Sequence, residues 1–560
     1  MTGATYTLVR HMRSRSRSSG GSMSSLLPSE ELSNSSRSLP RRLRCRSFAG
    51  LLGCLGLVLL AGSVALPRST QRGLVQHSSH SVEVSTATAV AADVAIASLP
   101  LEEAVSTLDP VRAASLSIDK LYARQSETLD QAVARYSLRN SRPPPQNFDK
   151  WFRFAQDNKC LIDDYDQIQR DFDPFYQLAR TDPRYFQKMI ELGRNEMLED
   201  SNGMVAIKIE NGRIQMPNYT GSVFDVEWLT TLSKFGYVVP DTEFLINGRD
   251  EPRVVFNSRE PKTRKEATTL KDKSPFHVAP VPTSEFFRHR SGCSTLNNRN
   301  GLTVDALEDV AFIRSSSTSD FTTDLWPMLS MTKISPCFSD ILFPGQYYYD
   351  SSWWAGKFDH PNDVAWNDKK PQLYWRGSSN GGHIIHDNYH KFSRFRLIKI
   401  SQSHPDLIDA KITAFYDSHS IIEEYDIGGE RSPREEVYQY KYLLDVDGNT
   451  FSGRYLGLLR SGSLIFKATA FEEYFNDWLR PYQHYIPVKI DLSDLVEKVE
   501  WAIAHEDEAR RIQETGMQFA QRVLTDAQND CYFAAVLLEW ARLQNYAEEA
   551  GASGQQSWEA

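Results

Sequence analysis

An uncharged apolar run early in the chain, AGLLGCLGLVLLAGSVAL at residues 49–66, most constrains how this protein can fold. Its length is near the lower limit for a helix that crosses a bilayer. Arginines crowd the segment before it, so the positive-inside rule places residues 1–48 in the cytosol and the rest in the lumen. A cleaved signal peptide, the alternative, begins nearer the N-terminus and has a shorter apolar run. The run therefore predicts an uncleaved signal-anchor, and its short span suits early secretory membranes.

The composition around this run divides the chain into further parts. Residues 1–48 are rich in Ser and Arg, which predicts a disordered cytosolic tail, and residues 67–145 predict a lumenal stalk that ends in a helix and three prolines. After Pro145, β-like runs alternate with amphipathic helical segments, which predicts an α/β fold. The formal net charge is -9 although the tail is basic, so the main domain is acidic and no nucleic-acid partner is expected.

Periodicity gives the individual elements of this α/β part. The predicted strands are residues 243–246, 372–375, 440–446, 463–466 and 485–490. The predicted helices are residues 147–156, 303–314, 452–460, 492–504 and 506 to about 547.

Four cysteines and one sequon lie on the lumenal side of the predicted anchor. The cysteines are Cys160, Cys293, Cys337 and Cys531. An even number in an oxidising compartment predicts two disulfides, and the spacing leaves all three pairings open. Asn218-Tyr219-Thr220 predicts a glycan on Asn218.

A candidate base follows the first predicted strand of the α/β part. In VPDTEFLINGRDEPR, residues 239–253, the β-like run stops at Asn247-Gly248. Arg249 and Asp250 are therefore expected just past the carboxyl end of a strand, where ligands bind in open α/β sheets. The alternative is a surface turn with a solvated Arg–Asp pair.

Two segments have the composition of diphosphate sites. In YWRGSSNGG, residues 374–382, an aromatic strand end leads into Arg376, Gly377 and Ser378, which supply a cation and unpaired backbone N–H groups. In residues 440–466 a buried-looking strand leads into a helix predicted to begin near Ser452, with Arg454 in its first turn. Ordinary βαβ packing could account for either segment alone.

Two patterns invite a metal interpretation. Asp445-Val446-Asp447 is a D-x-D motif, as in metal-dependent sugar transferases, and His383 and His386 lie three apart. The D-x-D pair precedes a predicted helix start that can neutralise phosphate without a metal. We therefore expect no metal and no cofactor, with a metal-dependent D-x-D transferase as an alternative.

Aromatic residues cluster between these motifs. Tyr347-Tyr348-Tyr349 and Trp353-Trp354 stand close to Trp366, with few aliphatic residues between them. Sugars stack their CH faces on such rings, so Tyr348, Trp353 and Trp354, with Arg249, are the predicted acceptor-binding residues. Core packing is the alternative.

Taken together, these segments resemble glycosyltransferase family 90, which contains fungal capsule-associated xylosyltransferases and animal protein O-glucosyltransferases. The resemblance covers roughly residues 148–543 and rests, in order, on FDKWFRFAQDNKC, PDTEFLINGRDEPR, DILFPGQYYY, LYWRGSSNGG and YKYLLDVDGNTFSGRYLGLLRSGSLIFK. It implies a GT-B fold of two Rossmann-like domains. The implied parts are an acceptor-side domain at 146–365, a UDP-sugar-binding domain at 366–505, crossing helices at 506–548 and a tail at 549–560.

The resemblance also implies inverting, metal-independent transfer from a UDP-sugar, here UDP-xylose or UDP-glucose, to a glycan or glycoprotein. Asp250 matches the family's base, and Arg376, Ser452 and Arg454 match donor-binding positions. The pairing implied is Cys160 with Cys531, and we expect Cys293 with Cys337. Animal members end in an ER-retention signal whereas this chain ends Ser-Trp-Glu-Ala, so with the anchor we expect a type II Golgi membrane protein.

Two other classes of protein compete with this interpretation. A non-catalytic glycan-binding protein would use the aromatic groove alone and would have no use for two phosphate sites. A glycoside hydrolase requires two carboxylates that flank the scissile bond, and the adjacent Asp250 and Glu251 could not easily do so.

Overall fold

The computed structural model describes residues 110–198, 203–217, 223–258, 321–322, 324–352, 364–381, 388–414, 420–428 and 432–548. All of them lie in one unit defined by internal contacts, Thr86–Ala560. In this part of the chain no helix is long and apolar enough to cross a membrane. The anchor at 49–66, the helix at 303–314, the His383/His386 pair, Asn218, Cys293, Trp353 and Trp354 lie outside the described residues, and those predictions stay predictions.

The described part contains both helices and largely parallel sheets, which confirms the predicted α/β class. The helices are α1 (Pro110–Ala123), α2 (Leu129–Asn140), α3 (Phe148–Asp157), α4 (Asp166–Ala179), α5 (Tyr185–Glu196), α6 (Val223–Ser233), α7 (Ser393–Ser403), α8 (Ser420–Glu424), α9 (Tyr455–Leu459), α10 (Leu495–Ala504), α11 (Glu506–Arg522) and α12 (Asp526–Gln544). The strands are β1 (Met204–Glu210), β2 (Arg213–Gln215), β3 (Thr242–Asn247), β4 (Leu329–Ser330), β5 (Ile341–Leu342), β6 (Lys370–Ser378), β7 (Ile408–Ala414), β8 (Tyr440–Val446), β9 (Leu464–Ala468) and β10 (Ile486–Pro487).

These strands form two five-stranded sheets. The first has the order β2-β1-β3-β4-β5, in which β1 is antiparallel to its neighbours and β3, β4 and β5 are parallel. The second has the order β10-β9-β8-β6-β7 and is parallel throughout. Parallel strands deliver their following loops to one edge, so the loops after β6 and β8 lie at the same edge of the second sheet.

Strand β8 shows why sequence patterning worked best in the second sheet. All seven residues of YKYLLDV are buried, as expected for a central strand covered on both faces. The predicted strand at 440–446 matches β8 at both ends. Elsewhere the elements differ in length: the helix predicted at 452–460 is the single turn α9, and the strand predicted at 485–490 is the two-residue β10.

Residues 110–145, predicted as the end of the stalk, form helices that pack on the rest of the fold. The Tyr122 hydroxyl donates to the backbone oxygen of Arg522 at 3.0 Å, and the Arg522 guanidinium pairs with Asp119 at 2.7 Å. The α2 helix begins with a capping box between Thr128 and Gln131. This segment is therefore part of the folded unit from Pro110 onward.

The last helix, α12, is buried along nearly its whole length and packs against α3, α4, α5 and β3. Its start is capped by the Thr525 side chain, which accepts from the N–H of Gln528 and separates α12 from α11. The predicted Cys160–Cys531 disulfide is confirmed and joins α12 to the loop after α3, with the Cα atoms 6.5 Å apart. Cys337 is also disulfide-bonded, and its pairing with Cys293 stays a prediction.

Replacing both Cys160 and Cys531 with Ser should lower the free energy of unfolding by ~2–5 kcal/mol, because the bond closes a loop between residues 371 apart in sequence. Chemical denaturation of the variant and of the wild-type protein would measure this. As a control, reductant should lower the midpoint of the wild-type protein towards that of the variant. Equal midpoints for the oxidised wild-type protein and the variant would contradict the prediction.

Candidate active site

A buried asparagine shapes the loop that carries the candidate base. The Asn247 amide donates to the backbone oxygen of Glu251 at 2.6 Å and to the Ser330 hydroxyl at 3.2 Å. Its side-chain oxygen accepts from the backbone N–H of Arg249 at 3.1 Å and from the Arg253 guanidinium at 3.3 Å. Asn247 thus closes a tight turn around Gly248, Arg249 and Asp250 at the end of β3, which explains the Asn in the sequence motif.

Asp250 lies where the loops of the two sheets meet. Its side chain accepts a hydrogen bond from the Tyr347 hydroxyl at 3.3 Å. Its backbone oxygen accepts from the Thr450 hydroxyl at 2.6 Å, and Thr450 belongs to the loop between β8 and α9. A Cβ on Gly453, in the same loop, would lie 2.5 Å from the Tyr347 ring, so a glycine is needed there for the ring to approach. The predicted base and the second predicted phosphate site are therefore neighbours.

Glu251 follows Asp250 directly in the turn after β3. Burial, followed by repulsion from Asp250 and a side-chain hydrogen bond with it, raises the pKa of the Glu251 carboxyl well above its usual value, and Arg249 opposes the shift.

Arg454 is a half-buried cation without an acidic partner in the described part of the chain. One of its guanidinium nitrogens donates to the backbone oxygen of Arg376 at 2.9 Å, and no salt bridge to it is found there. Burial lowers its pKa, while Asp445 opposes that shift. A partly desolvated cation without a direct ion-pair partner suits an anionic ligand such as a phosphate.

Arg376, by contrast, already has a carboxylate partner. Its guanidinium pairs with Asp409 of β7 at 2.7 Å and lies 4.4 Å above the Tyr374 ring. It also donates to the backbone oxygens of Trp375 and Asp409 at 3.0 and 2.9 Å. The sequence could not reveal this pairing, because Asp409 stands on another strand. A donor contact from Arg376 stays a prediction, and such a contact would compete with Asp409.

The small residues of the two predicted phosphate sites have packing roles as well. A Cβ on Gly377 would lie 2.4 Å from the Trp375 ring. The Ser378 hydroxyl accepts from Arg394 at 3.2 Å, and Arg394 also donates to the backbone oxygen of Asp447 at 2.9 Å, which ties β6 to β8. Ser452 is buried in the turn before α9.

The α9 helix is shorter than the sequence predicted. It begins at Tyr455 and spans five residues, so Ser452 and Arg454 precede it. One helical turn has little macrodipole and few unpaired N–H groups to offer. The guanidinium of Arg454 is therefore a stronger candidate for binding an anion than the start of α9.

The D-x-D aspartates are buried in protein contacts. The Asp445 carboxylate pairs with Lys467 at 3.1 Å, and the Asp447 carboxylate accepts from the backbone N–H of Ala470 at 2.7 Å. Burial raises the pKa of Asp447 to about 7. Across the described residues no group of three His, Cys, Asp or Glu side chains could hold a metal ion.

Among the predicted acceptor-binding aromatic residues, Tyr348 lies within the described residues, and the structure places it in the core. It is 7% exposed, and its hydroxyl is hydrogen-bonded to the buried Glu473. Tyr349 and Trp366 are buried too. Residues 346–348 form one 3-10 turn, in which neighbouring side chains point about 120° apart, so only one ring can face Asp250. That ring is Tyr347, which the prediction passed over in favour of Tyr348.

Comparison with known proteins identifies the C-terminal part of the chain. Residues 307–556 match the family profile described as glycosyl transferase family 90. Over 182 residues the chain is 32% identical to Protein O-glucosyltransferase 3 of Rattus norvegicus, covering 32% of this chain and 34% of that protein. Over 241 residues it is 28% identical to Protein O-glucosyltransferase 1 of Homo sapiens, covering 39% of this chain and 58% of that protein. The chain thus spans about a third of the length of the first of these relatives.

A solved structure, TarM, aligns with a TM-score of 0.24 and 9% identity over 33% of this chain and 37% of its own. Similarity at that level supports no conclusion about the fold. Asp250 lies before the matched segment, whereas Tyr347, Arg376, Thr450 and Arg454 lie within it. Residues 307–556 of this chain therefore belong to glycosyl transferase family 90.

Proposed function

We propose that this chain is an inverting glycosyltransferase that moves xylose or glucose from a UDP-sugar to a hydroxyl group of a glycan or glycoprotein. The observation that carries the proposal is the contact between Asp250 and Thr450. It brings a carboxylate at the end of β3 next to the loop that carries Arg454, an arginine without an acidic partner among the described residues. A base and a phosphate-binding cation on adjacent loops are what an inverting transfer from a nucleotide sugar requires.

The proposed reaction follows from the movement of charge. The acceptor hydroxyl attacks the anomeric carbon from the face opposite UDP, and Asp250 takes the hydroxyl proton as the new bond forms. Negative charge develops on the departing phosphate, and Arg454 stabilises it. The Tyr347 hydroxyl, which donates to the Asp250 side chain, orients the carboxylate.

The two sheets and the apolar run at residues 49–66 suggest an architecture and a location for this activity. We propose that the two sheets are the cores of the two Rossmann-like domains of a GT-B fold, with the donor on the β6–β8 side. We also propose that the protein is a type II Golgi membrane protein, held by residues 49–66, with its catalytic part in the lumen. A screen of the lumenal part against several UDP-sugars, with UDP release as the readout, tests the activity. Failure to bind UDP would favour a non-catalytic glycan-binding protein.

Asp250→Asn should reduce kcat by about 10²–10⁴-fold, because the amide keeps the size of the side chain but cannot accept a proton. The affinity for UDP should change little, and calorimetric titration would show this beside the kinetics. Asp241→Asn is the matched control, because Asp241 is exposed near the opposite end of β3. A turnover in Asp250→Asn above about a tenth of the wild-type value would mean that Asp250 is not the base.

Arg454→Ala should weaken UDP binding by roughly 10- to 100-fold and reduce turnover too, because hydrogen bonds to charged groups are the strong ones. Arg376→Ala should weaken UDP binding less, since Asp409 already compensates that guanidinium. The matched control is Arg396→Ala, which removes a half-buried arginine of α7. Titration of each variant with UDP measures the difference. An Arg454→Ala variant with wild-type affinity would contradict the assignment of the phosphate site.

Activity should survive complete removal of divalent metal, because Arg454 supplies countercharge and Asp445 is already paired with Lys467. The measurement is the rate of transfer after treatment with excess EDTA, with and without added manganese. Loss of activity with EDTA and recovery with manganese would establish a metal-dependent enzyme instead.

A further inference from the structure

A groove of about 540 Å³ lies at the end of the first sheet opposite Asp250. Its walls come from the start of α3, the turn between β1 and β2, the residues just before β3 and the end of α12. Strand β3 separates this groove from the Asp250 loop, and its six residues extend roughly 17–20 Å. The groove is therefore distinct from the candidate active site.

The amide side chains of this groove make no hydrogen bond within the described part of the chain. They belong to Gln146, Asn147, Asn211 and Asn545. Asn147 and Asn211 have φ angles of 64° and 51°, a conformation that Asn tolerates, so the backbone alone explains their identity. It does not explain Gln146 or Asn545. Each amide can donate and accept hydrogen bonds, so together they offer a ligand both kinds of partner.

Tyr237 adds an aromatic ring to the same groove. The residue is 60% exposed, although the Phe154 ring meets it edge-on with the ring centroids 6.4 Å apart. A Cβ on Gly212 would lie 3.2 Å from the Tyr237 Cα, so the β1–β2 turn packs closely against the tyrosine backbone. The fold thus fixes the position of Tyr237 while most of its side chain stays open to solvent.

The walls of the groove are tied to one another near the start of β3. The backbone N–H of Asn211 donates to the Asp241 carboxylate at 2.7 Å, which fixes the β1–β2 turn. The Gln544 side chain, next to Asn545, accepts from the N–H of Glu243 at 3.1 Å, which fixes the end of α12. A groove held in this way loses little conformational freedom when a ligand binds.

We propose that this groove is a second glycan-binding site, which takes a neutral oligosaccharide. Sugar hydroxyls donate and accept, as the amides do, and the apolar CH face of a sugar can stack on the Tyr237 ring. Lys150 and Asp241 contribute one charge of each sign, and the Asp241 carboxylate is already engaged by the N–H of Asn211. The choice of a glycan as ligand rests on the proposed function, in which a glycan or glycoprotein is the acceptor.

A second site would act on the acceptor and not on the chemical step. A long glycan that occupies both the groove and the active site is held at a high effective concentration near Asp250. Its KM should therefore be lower than that of a short acceptor, while kcat is the same for both. An extended peptide suits the groove less well, because the neighbouring edge strand β2 has only three residues with which to pair.

The test is a calorimetric titration of the purified full chain with xylo-, gluco- and manno-oligosaccharides in the absence of donor. At least one series should bind. Tyr237→Ala should weaken that binding about tenfold, whereas Tyr237→Phe, which keeps the ring, should bind nearly as the wild type does. Asn545→Ala should weaken it several-fold through the lost hydrogen bond. The matched control is Leu138→Ala, which removes an apolar side chain of α2 that is 83% exposed outside the groove.

Hydrogen exchange locates the bound oligosaccharide. It should protect backbone amides of residues 210–212 and 237–239, because these segments form two walls of the groove. Failure of every oligosaccharide to bind would overturn the inference, as would wild-type affinity in both Tyr237→Ala and Asn545→Ala. Protection confined to the Asp250 loop would overturn it too. So would binding of an extended peptide, and of no oligosaccharide, at residues 210–212 and 237–239.

These outcomes are distinguishable from failure of the proposed function, because the titrations need neither donor nor turnover. If the chain releases no UDP from any UDP-sugar while oligosaccharide binding depends on Tyr237, the proposed function fails and the groove stands. If Asp250→Asn is inactive while Tyr237→Ala and Asn545→Ala bind oligosaccharide as the wild type does, only the groove fails. In an active enzyme Tyr237→Ala should raise KM for a long acceptor about tenfold and leave kcat unchanged. An unchanged KM for that acceptor would overturn the inference.

Discussion

The burial of α12 fixes both segments that meet at Asp250. On one side its Gln544 side chain accepts from the hydroxyl of Thr242 and from the N–H of Glu243, while Trp540 donates to the backbone oxygen of Glu243. These contacts set the position of β3, whose end carries the proposed base, Asp250. On the other side Asn529 donates to the backbone oxygen of Tyr348, which holds the turn that presents Tyr347. One helix thus determines the distance between the carboxylate and the tyrosine that touches it.

A buried charge network supports the second half of the site. Lys467 pairs with Asp445 at 3.1 Å and with Glu473 at 3.6 Å, and Tyr348 is hydrogen-bonded to Glu473. Buried charges are costly unless they are paired, so removing one member would expose the others to a large desolvation penalty. Asp445 also stabilises the charged form of Arg454 from a distance. Both D-x-D aspartates are therefore engaged in protein contacts, and Asp445 acts electrostatically on Arg454.

The limits of prediction follow from what a linear pattern encodes. The boundaries of β8 could be predicted because this largely apolar strand, YKYLLDV, differs in composition from its flanks. The Cys160–Cys531 pair could not be derived from spacing over 371 residues and came from the family resemblance. The choice between Tyr347 and Tyr348 depends on the rotation of one turn, and the compensation of Arg376 depends on Asp409, 33 residues away. Both depend on tertiary contacts, which the local sequence pattern does not specify.

The proposed transferase has to keep its base and its phosphate-binding cation close without letting them neutralise each other. If Asp250 formed an ion pair with Arg454, the carboxylate would be a weaker proton acceptor and the guanidinium a weaker phosphate ligand. In the described structure the two are bound separately. Tyr347 and Thr450 hold Asp250, and the backbone oxygen of Arg376 holds Arg454. The backbone oxygen of Arg376 is a neutral acceptor, so it orients the Arg454 guanidinium while leaving the positive charge available to an anionic ligand.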